Sequence, residues 1–145
     1  CHIPCRIDRD MELGLWQKFM SNIGENMTCA LLGVPFKALA ESEHARAIKR
    51  MGMREVQEVA GKLGIRLTDE MAEAAMNRPI TAPYNRPSTL QDLDAKKRTE
   101  IDMFAGTVVR LGRKLGVATP VNELFYHGIR VLEEKNEGKY SPENT

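Results

Sequence analysis

Residues 16–26 carry one lysine and two asparagines at intervals of four. Lys18, Asn22 and Asn26 hold positions i, i+4 and i+8, so on a straight α-helix the last side chain is turned by only about 80° from the first. A lysine supplies a positive charge and a transferable proton, and an amide both donates and accepts hydrogen bonds. Such a face suits a small polar substrate with a carbonyl or carboxylate group. The alternative is an ordinary solvated helix face.

The apolar residues around this stripe recur at helical spacing. Residues 8–33 predict one long helix that ends at Gly33, with a buried stripe formed by Leu13, Trp16, Met20, Ile23, Met27 and Leu31. A second helix is predicted over 40–63, closed by Gly64 as a C′ glycine. Thr68 has the position of an N-cap for a short third helix.

The second half of the chain predicts a loop followed by three more helices. Prolines and asparagines interrupt residues 77–87, and Ser88 to Gln91 then has the S-x-x-Q form of a capping box, so a helix cap is the interpretation of Ser88 that needs no ligand. Thr99 to Asp102 is a second cap-like start, which would place Glu100 in a first helical turn. Thr119-Pro120 opens a final helix, predicted to reach about Lys135.

These patterns predict an all-α fold of about six helices, since no segment alternates apolar and polar residues as a strand does. At 145 residues the chain can bury one core without disulfides or a metal. No repeat of 20–50 residues and no low-complexity tract suggests a second domain within it. The eight methionines are interpreted as adaptable core packing.

The charge balance argues against two classes of partner. The 21 basic and 20 acidic residues leave a net charge of +1, which offers no excess field for nucleic acid or for an anionic membrane. No apolar run approaches the roughly 20 residues of a membrane span, and the first residues lack the pattern of a signal peptide. We therefore expect a soluble, cytoplasmic protein, and the absence of an initiator Met suggests a fragment.

The three cysteines fit a reducing compartment better than a disulfide framework. They are Cys1, Cys5 and Cys29, an odd number, and two of them lie at a terminus. Cys1, His2 and Cys5 could hold a metal, but no second ligand pair follows at the spacing of a closed zinc site. We therefore predict no metal.

Common cofactor and catalytic motifs are missing from the chain. The sequence contains no G-x-G-x-x-G, no Walker sequence, no H-E-x-x-H and no G-x-S-x-G. We therefore predict that the chain has no cofactor site of its own.

Five motifs follow one another along the chain, namely Leu15-Trp16-Gln17-Lys18 with Asn22 and Asn26, Pro87-Ser88-Thr89-Leu90-Gln91-Asp92, Lys97-Arg98-Thr99-Glu100-Ile101-Asp102, Gly106, and Gly116 to Asn122. The combination of W-x-K-x3-N-x3-N, S-x-x-x-D and T-E-I-D is specific. In order and spacing, these motifs resemble the C-terminal domain of ketopantoate reductases (2-dehydropantoate 2-reductases), and the resemblance covers about residues 8–135.

The resemblance implies a two-domain, NADP-dependent oxidoreductase. Its N-terminal Rossmann domain, which would bind most of NADP(H), would precede Cys1 and is absent from this chain. Residues 1–7 would then end an interdomain segment, 8–136 would form the helical substrate-binding and catalytic domain, and 137–145 would be a polar tail. The implied reaction is reduction of 2-dehydropantoate to pantoate in pantothenate (coenzyme A) biosynthesis.

The resemblance also implies a role for each site residue. Lys18 would give a proton to the oxygen of the 2-keto group and stabilise the developing alkoxide. Asn22 and Asn26 would orient the substrate and the lysine, and Ser88 would bind the polar groups of the substrate. Glu100 would contact the cofactor ribose and the substrate hydroxyl.

One departure from the family pattern leaves the substrate open. Many members have Asn-Gly after the proline at the place of Pro35, and that asparagine contacts substrate, whereas this chain has Phe36 and Lys37. An aromatic ring there favours a bulkier or less polar 2-keto acid. Met27 also stands where proline is common.

The alternatives are a reductase of another 2-keto acid or of an imine, or a catalytically inactive helical dimerisation module. The expected partners are the small substrate, the chain's own Rossmann domain and possibly a second copy.

Overall fold

The computed structural model describes residues 5–142, with side chains described from Asp10 onwards. The hypothetical Cys1, His2 and Cys5 cluster therefore lies outside the described residues. So does most of the segment 1–7.

The described chain consists of helices joined by short loops. Helix α1 spans Cys5–Asn22 and continues through a π-helical turn, Ile23–Met27, into α2, Thr28–Leu32; the other helices are α3 (Lys37–Glu41), α4 (Glu43–Lys62), α5 (Asp69–Met76), α6 (Ser88–Asp94), α7 (Ala105–Leu115) and α8 (Pro120–Asn136). Counting α1, the π turn and α2 as one interrupted helix, seven helices and no strand lie within residues 5–142. The predicted all-α class is confirmed.

Helix α4 is the central element of the core. It packs against α1, the π turn, α7, α8 and the short helices α3 and α5, because its apolar positions recur at helical spacing on more than one side. The largest fully buried side chains come from four parts of the chain, namely Phe125, Met20, Ile23, Met27, Met53, Ile101 and Ile129. Four of the eight methionines, Met20, Met27, Met53 and Met76, are buried in the core, as their interpretation as core packing requires. For Met11, Met51 and Met103 that interpretation is wrong, because these side chains are 59%, 51% and 66% exposed.

Three helix ends follow the local signals in the sequence. The hydroxyl of Thr68 accepts a hydrogen bond from the Met71 backbone N–H at 3.2 Å and so caps α5. Gly64 has φ +82°, the left-handed conformation expected of a C′ glycine after α4. Pro120 is the first residue of α8.

The predicted helix over 40–63 is shorter than expected. Ser42 is extended (φ −99°, ψ 118°), and its hydroxyl accepts from the Ala45 N–H, so α4 begins at Glu43 and the preceding turn is the separate helix α3.

The predicted capping box at Ser88 is wrong. The extended residue that precedes α6 is Pro87, whose carbonyl accepts from the Gln91 backbone N–H at 2.9 Å, and Ser88 is already the first helical residue. A capping box also needs an N–H on the capping residue, which proline lacks. The Gln91 side chain instead donates to the Arg86 carbonyl at 2.8 Å.

The predicted helix start at Thr99 is also wrong. Residues 101–104 form a turn and α7 begins at Ala105, so Glu100 does not lie in a first helical turn. The reason is a distant partner: the Thr99 N–H and hydroxyl donate to the Glu133 carboxylate at 2.7 and 2.8 Å.

Across the described part of the chain, each helix is too short or too polar to cross a bilayer.

Candidate functional site

The lysine–asparagine stripe lies where α1 passes into the π turn. Lys18 lies on α1, four residues before its end, and is exposed; Asn22 is the last residue of α1, and Asn26 is inside the π turn. Both asparagines are partly exposed, whereas Ile23, Gly24 and Glu25 between them are buried. All three polar side chains therefore reach the surface along one stretch of helix.

The π turn changes the geometry expected of a straight helix. A π turn takes more residues per revolution than an α turn, so each residue in it advances by less than 100° about the axis. This smaller advance cancels part of the drift that an uninterrupted α-helix would give Asn26 relative to Lys18. Turns of this kind occur frequently at functional sites.

Close packing on α4 accompanies the π turn. A Cβ atom on Gly24 would lie 2.8 Å from the Cγ atoms of both Lys49 and Met53, so only glycine allows this approach without a shift of its neighbours. The backbone that carries Asn26 is thereby held directly on the central helix.

A buried ion pair forms a second link between the π turn and α4. Lys49 Nζ lies 3.3 Å from Glu25 Oε2 and donates to the Ala75 carbonyl at 2.9 Å. Arg78 donates to the other carboxylate oxygen of Glu25. Burial lowers the pKa of Lys49, and the charge of Glu25 partly opposes that effect.

Ser88 lies on a helix that packs against the same region. Helix α6 contacts both the π turn and α2, so its first residue belongs to an element adjoining Asn26. The Ser88 side chain is exposed and makes no capping hydrogen bond. Its hydroxyl is therefore available for a ligand.

Glu100 lies in a loop that is fastened to α8. Glu133 accepts two hydrogen bonds from Thr99 and one from Arg130 at 2.7 Å, and Arg130 also donates to Asp102 at 2.6 Å. Burial by itself would raise the pKa of Glu133, but these hydrogen bonds outweigh it and lower the pKa. Glu100 is exposed between two anchored residues.

A cavity of about 600 Å³ lies between the π turn, α3, α4 and the loop that follows α5. It is lined by charged side chains from three elements, by apolar side chains and by several polar groups, namely Glu25, Arg46, Lys49, Arg78, Phe36, Leu39, Ala40, Met76, Asn77, Pro79, Ile80, Thr81, Ala82 and Asn85. We call this space the side cavity.

None of the five predicted site residues lines the side cavity, but two of them, Asn26 and Ser88, lie close in the chain to residues that do. Glu25 directly precedes Asn26, and Asn85 precedes Ser88 by three residues. Of the lining residues, the sequence pattern pointed to Phe36 but not to Lys49 or Arg78. Lys49 falls at a core position of the α4 pattern, where an unpaired lysine is rare, and this was the available signal.

No metal site emerges from the described residues, since none of their His, Cys, Asp and Glu side chains form a group of three or more that could hold an ion.

Comparison with known proteins first places the chain among oxidoreductase domains. The family described as "Ketopantoate reductase PanE/ApbA C terminal" matches residues 10–133. The chain belongs to the ketopantoate reductase family and is its C-terminal, all-helical domain. The predicted family is therefore confirmed.

Curated relatives are named 2-dehydropantoate 2-reductase. That of Pyrobaculum aerophilum is 34% identical over 128 residues, covering 88% of this chain and 46% of the relative. That of Aquifex aeolicus is 32% identical over 137 residues, covering 90% and 44%. This chain thus spans about half the length of the curated relatives it matches.

Solved structures share the helical fold. The PanE/ApbA family ketopantoate reductase of Ralstonia eutropha JMP134 has a TM-score of 0.77 and 35% identity, covering 86% of this chain and 42% of that one. A ternary structure of D-mandelate dehydrogenase with NADH and anilino(oxo)acetate has a TM-score of 0.80 and 27% identity, covering 87% and 53%.

Proposed function

We propose that this chain is the substrate domain of an NADPH-dependent 2-keto acid reductase that converts 2-dehydropantoate to pantoate in pantothenate biosynthesis. The observation that carries the proposal is the lysine–asparagine stripe, because three polar side chains reach the surface on one helix, and its π turn contacts α6, the helix that begins at Ser88. Family membership and the names of the curated relatives support the same reaction.

In the proposed mechanism the residues of this chain manage the proton and the substrate oxygen atoms. Lys18 Nζ gives a proton to the oxygen of the 2-keto group and offers positive charge to the developing alkoxide. The amides of Asn22 and Asn26 orient the substrate and the Lys18 ammonium group relative to each other. Ser88 donates a hydrogen bond to polar groups of the substrate.

Glu100 is proposed to contact both the substrate hydroxyl and the cofactor ribose. An exposed carboxylate between anchored neighbours suits a contact with two hydroxyl groups, each of which can donate to it. The nicotinamide, when bound, supplies hydride to the carbonyl carbon. Most of the NADP(H) would be held by a Rossmann domain before Cys1.

Exposed apolar residues beside Lys18 support a second domain over this face. Met11 and Leu15 precede Lys18 by seven and three residues, which places them on the same side of α1, and they are 59% and 65% exposed. We accordingly propose 8–136 as the helical domain, 1–7 as the end of an interdomain segment and 137–145 as a tail. A cytoplasmic location and a homodimer belong to the same proposal.

A reductase of another 2-keto acid is the second candidate. Phe36 lines the side cavity where many family members have an asparagine, and D-mandelate dehydrogenase, bound to NADH and anilino(oxo)acetate, is a structural neighbour.

The test is an assay of NADPH oxidation by the complete protein. We expect turnover with 2-dehydropantoate to exceed turnover with phenylglyoxylate and with 2-oxobutanoate, and NADPH to be preferred to NADH. Faster turnover of phenylglyoxylate would favour the second candidate. Absence of reduction with every 2-keto acid and both cofactors would refute a reductase role and leave the inactive helical module.

A further inference from the structure

The backbone on both sides of Glu100 is held by hydrogen bonds. The Ile101 N–H donates to the Thr99 hydroxyl at 3.3 Å, which closes a short turn around Glu100. The Met103 N–H donates to the Glu100 carbonyl at 2.9 Å, and the Ile101 side chain is fully buried in the core. We call residues 99–103 the Glu100 turn, and its backbone has little freedom of its own.

Glu133 on α8 fastens the Glu100 turn to the rest of the fold. One oxygen of Glu133, Oε2, accepts from the Thr99 N–H at 2.7 Å and from the Thr99 hydroxyl at 2.8 Å. The other oxygen accepts from Arg130 at 2.7 Å, and Arg130 also donates to Asp102 at 2.6 Å. Residues on both sides of Glu100 are therefore bound to the same turn of α8.

The Glu133 carboxylate is buried, whereas the Glu100 carboxylate is not. Glu133 is 7% exposed and Thr99 is 9% exposed, and three donors supply the strong, directional hydrogen bonds that a buried carboxylate needs. The Glu100 side chain is exposed, and it has no hydrogen-bond or ion-pair partner among the residues that the structure describes. Its location is therefore set by the backbone of the turn and not by side-chain contacts.

We propose that Glu133 is a positioning residue of the reductase, which sets where the Glu100 carboxylate lies. Through Thr99 it fixes the Glu100 turn, so that Glu100 meets the substrate hydroxyl and the cofactor ribose at hydrogen-bond distance. A displacement of about 1 Å is enough to weaken such contacts severely. This inference rests on the proposed function, because the contacts of Glu100 belong to that proposal.

The test measures steady-state kinetics of the complete protein with NADPH and 2-dehydropantoate. Glu133→Gln removes the charge that binds Thr99 and Arg130. It should raise KM for both compounds about tenfold, the size of effect that one charge-assisted hydrogen bond supplies, and change kcat less. A merely structural role predicts the opposite pattern, because unfolded enzyme lowers the apparent kcat and leaves KM unchanged.

A double variant shows whether Glu133 acts through Glu100. Glu100→Gln alone should raise the same KM values by at least as much, because it removes the charge that accepts from the two hydroxyl groups. Glu133→Gln should then add little in the double variant, since the group that it positions is already lost. Effects that multiply, or wild-type KM values in Glu100→Gln, would overturn the inference.

Thr99→Val and Thr99→Ser form a matched pair. Valine has the shape of threonine but lacks the hydroxyl that joins Glu133 to the Ile101 N–H, so it should raise KM several-fold, whereas serine should keep KM near the wild-type value. Equal KM values in the two variants would contradict the inference. Glu134→Gln is the control on α8 and should leave KM unchanged, because Glu134 accepts from Tyr140 at the surface.

Amide hydrogen exchange separates this inference from the proposed function. If the complete protein reduces no 2-keto acid, the reductase proposal fails, and exchange then decides whether Glu133 holds the Glu100 turn. Glu133→Gln should speed exchange in peptides that span 99–103 more than in peptides from α4, and Glu134→Gln should not. Equal exchange of the 99–103 peptides in Glu133→Gln and in the wild type would reject the inference.

Discussion

The Glu25–Lys49 pair is buried within a helical core, where charge is expensive. Both residues are more than nine-tenths buried, and their charged atoms lie 3.3 Å apart. Transfer of each ion out of water costs several kcal/mol, and the attraction between the two ions offsets this desolvation cost only while both partners are present. The pair therefore fixes where the π turn can sit on α4.

We predict that Glu25→Gln lowers the free energy of unfolding by about 3–5 kcal/mol, because it leaves the Lys49 ammonium without its anion. The double variant Glu25→Leu with Lys49→Met should recover most of the loss, since no buried charge remains. Urea unfolding of the complete protein, followed by circular dichroism, measures both. Wild-type stability of Glu25→Gln would show that Lys49 is neutralised in another way.

Lys18, unlike the buried Lys49, is exposed, so its substitution should affect catalysis and not packing. We predict that Lys18→Ala lowers kcat of the complete reductase by roughly two to four decades, the range for a lost general acid, with unfolding unchanged. Lys62→Ala, at the exposed end of α4, is the control and should keep full activity. A near-normal rate in Lys18→Ala would remove this lysine from the mechanism.

At the scale of helices, local signals predicted ends that depend on local chemistry. Three helix ends were predicted correctly because the residue responsible acts within one turn of its own position. These residues are the N-cap Thr68, the left-handed Gly64 and the helix-starting Pro120. Ser88 and Thr99 carried similar signals, but neither caps a helix. Pro87, just before Ser88, is the residue that caps α6. Thr99 instead donates hydrogen bonds to Glu133 on α8. The Thr99–Glu133 hydrogen bond could not be predicted from local sequence patterns, because 34 residues separate the two groups.

The π turn was likewise beyond a periodicity argument. The apolar pattern predicted one helix over 8–33, and the helix is indeed continuous but widens at Ile23–Met27. Two tertiary contacts accompany this turn: Gly24 approaches α4 closely, and the Glu25 carboxylate pairs with Lys49. The roles of the site residues were predicted from the resemblance to a family, because helical periodicity alone does not distinguish a binding face from a solvated one.

We predict that Gly24→Ala destabilises the protein by about 1–3 kcal/mol, because its Cβ would overlap the Cγ atoms of Lys49 and Met53 and force both to shift. Gly61→Ala is the matched control. A Cβ there meets nothing within 4 Å, so alanine in this helix should stabilise by about 0.5–1 kcal/mol. Thermal unfolding compares the two variants, and equal effects would contradict the close approach of the π turn to α4.

Across the whole molecule, the Glu133 network joins the Glu100 loop to the last helix and makes stability depend on pH. The pKa of Glu133 lies below its usual 4.5, since hydrogen bonds from Thr99 and Arg130 outweigh burial. Arg130 lowers the pKa of Asp102 in the same way. A carboxylate with a lowered folded pKa stabilises fully above its unfolded pKa and loses that effect as pH falls through the folded value.

We predict that the free energy of unfolding declines below about pH 4.5 and that Glu133→Gln flattens this decline. At pH 7 the variant should be less stable by about 1–3 kcal/mol, the cost of losing charge-assisted hydrogen bonds, and the difference should shrink as the pH falls below 4.5. Urea unfolding at a series of pH values measures this. Parallel curves for variant and wild type would assign the acid sensitivity to other carboxylates.

The largest-scale prediction concerns how the proposed catalysis is divided between domains. Proton transfer from Lys18 and hydride transfer must act on one carbonyl group held between them, and the positioning supplies much of the rate. We predict that the 145-residue chain alone neither binds NADPH tightly nor reduces a 2-keto acid, whereas the complete protein does both. Fluorescence titration with NADPH and an overnight assay of NADPH consumption test the two halves of the prediction, with circular dichroism to confirm that the isolated chain is helical. Turnover by a folded isolated chain would mean that these helices contain a cofactor site absent from the motifs of the sequence, and the two-domain proposal would then be wrong.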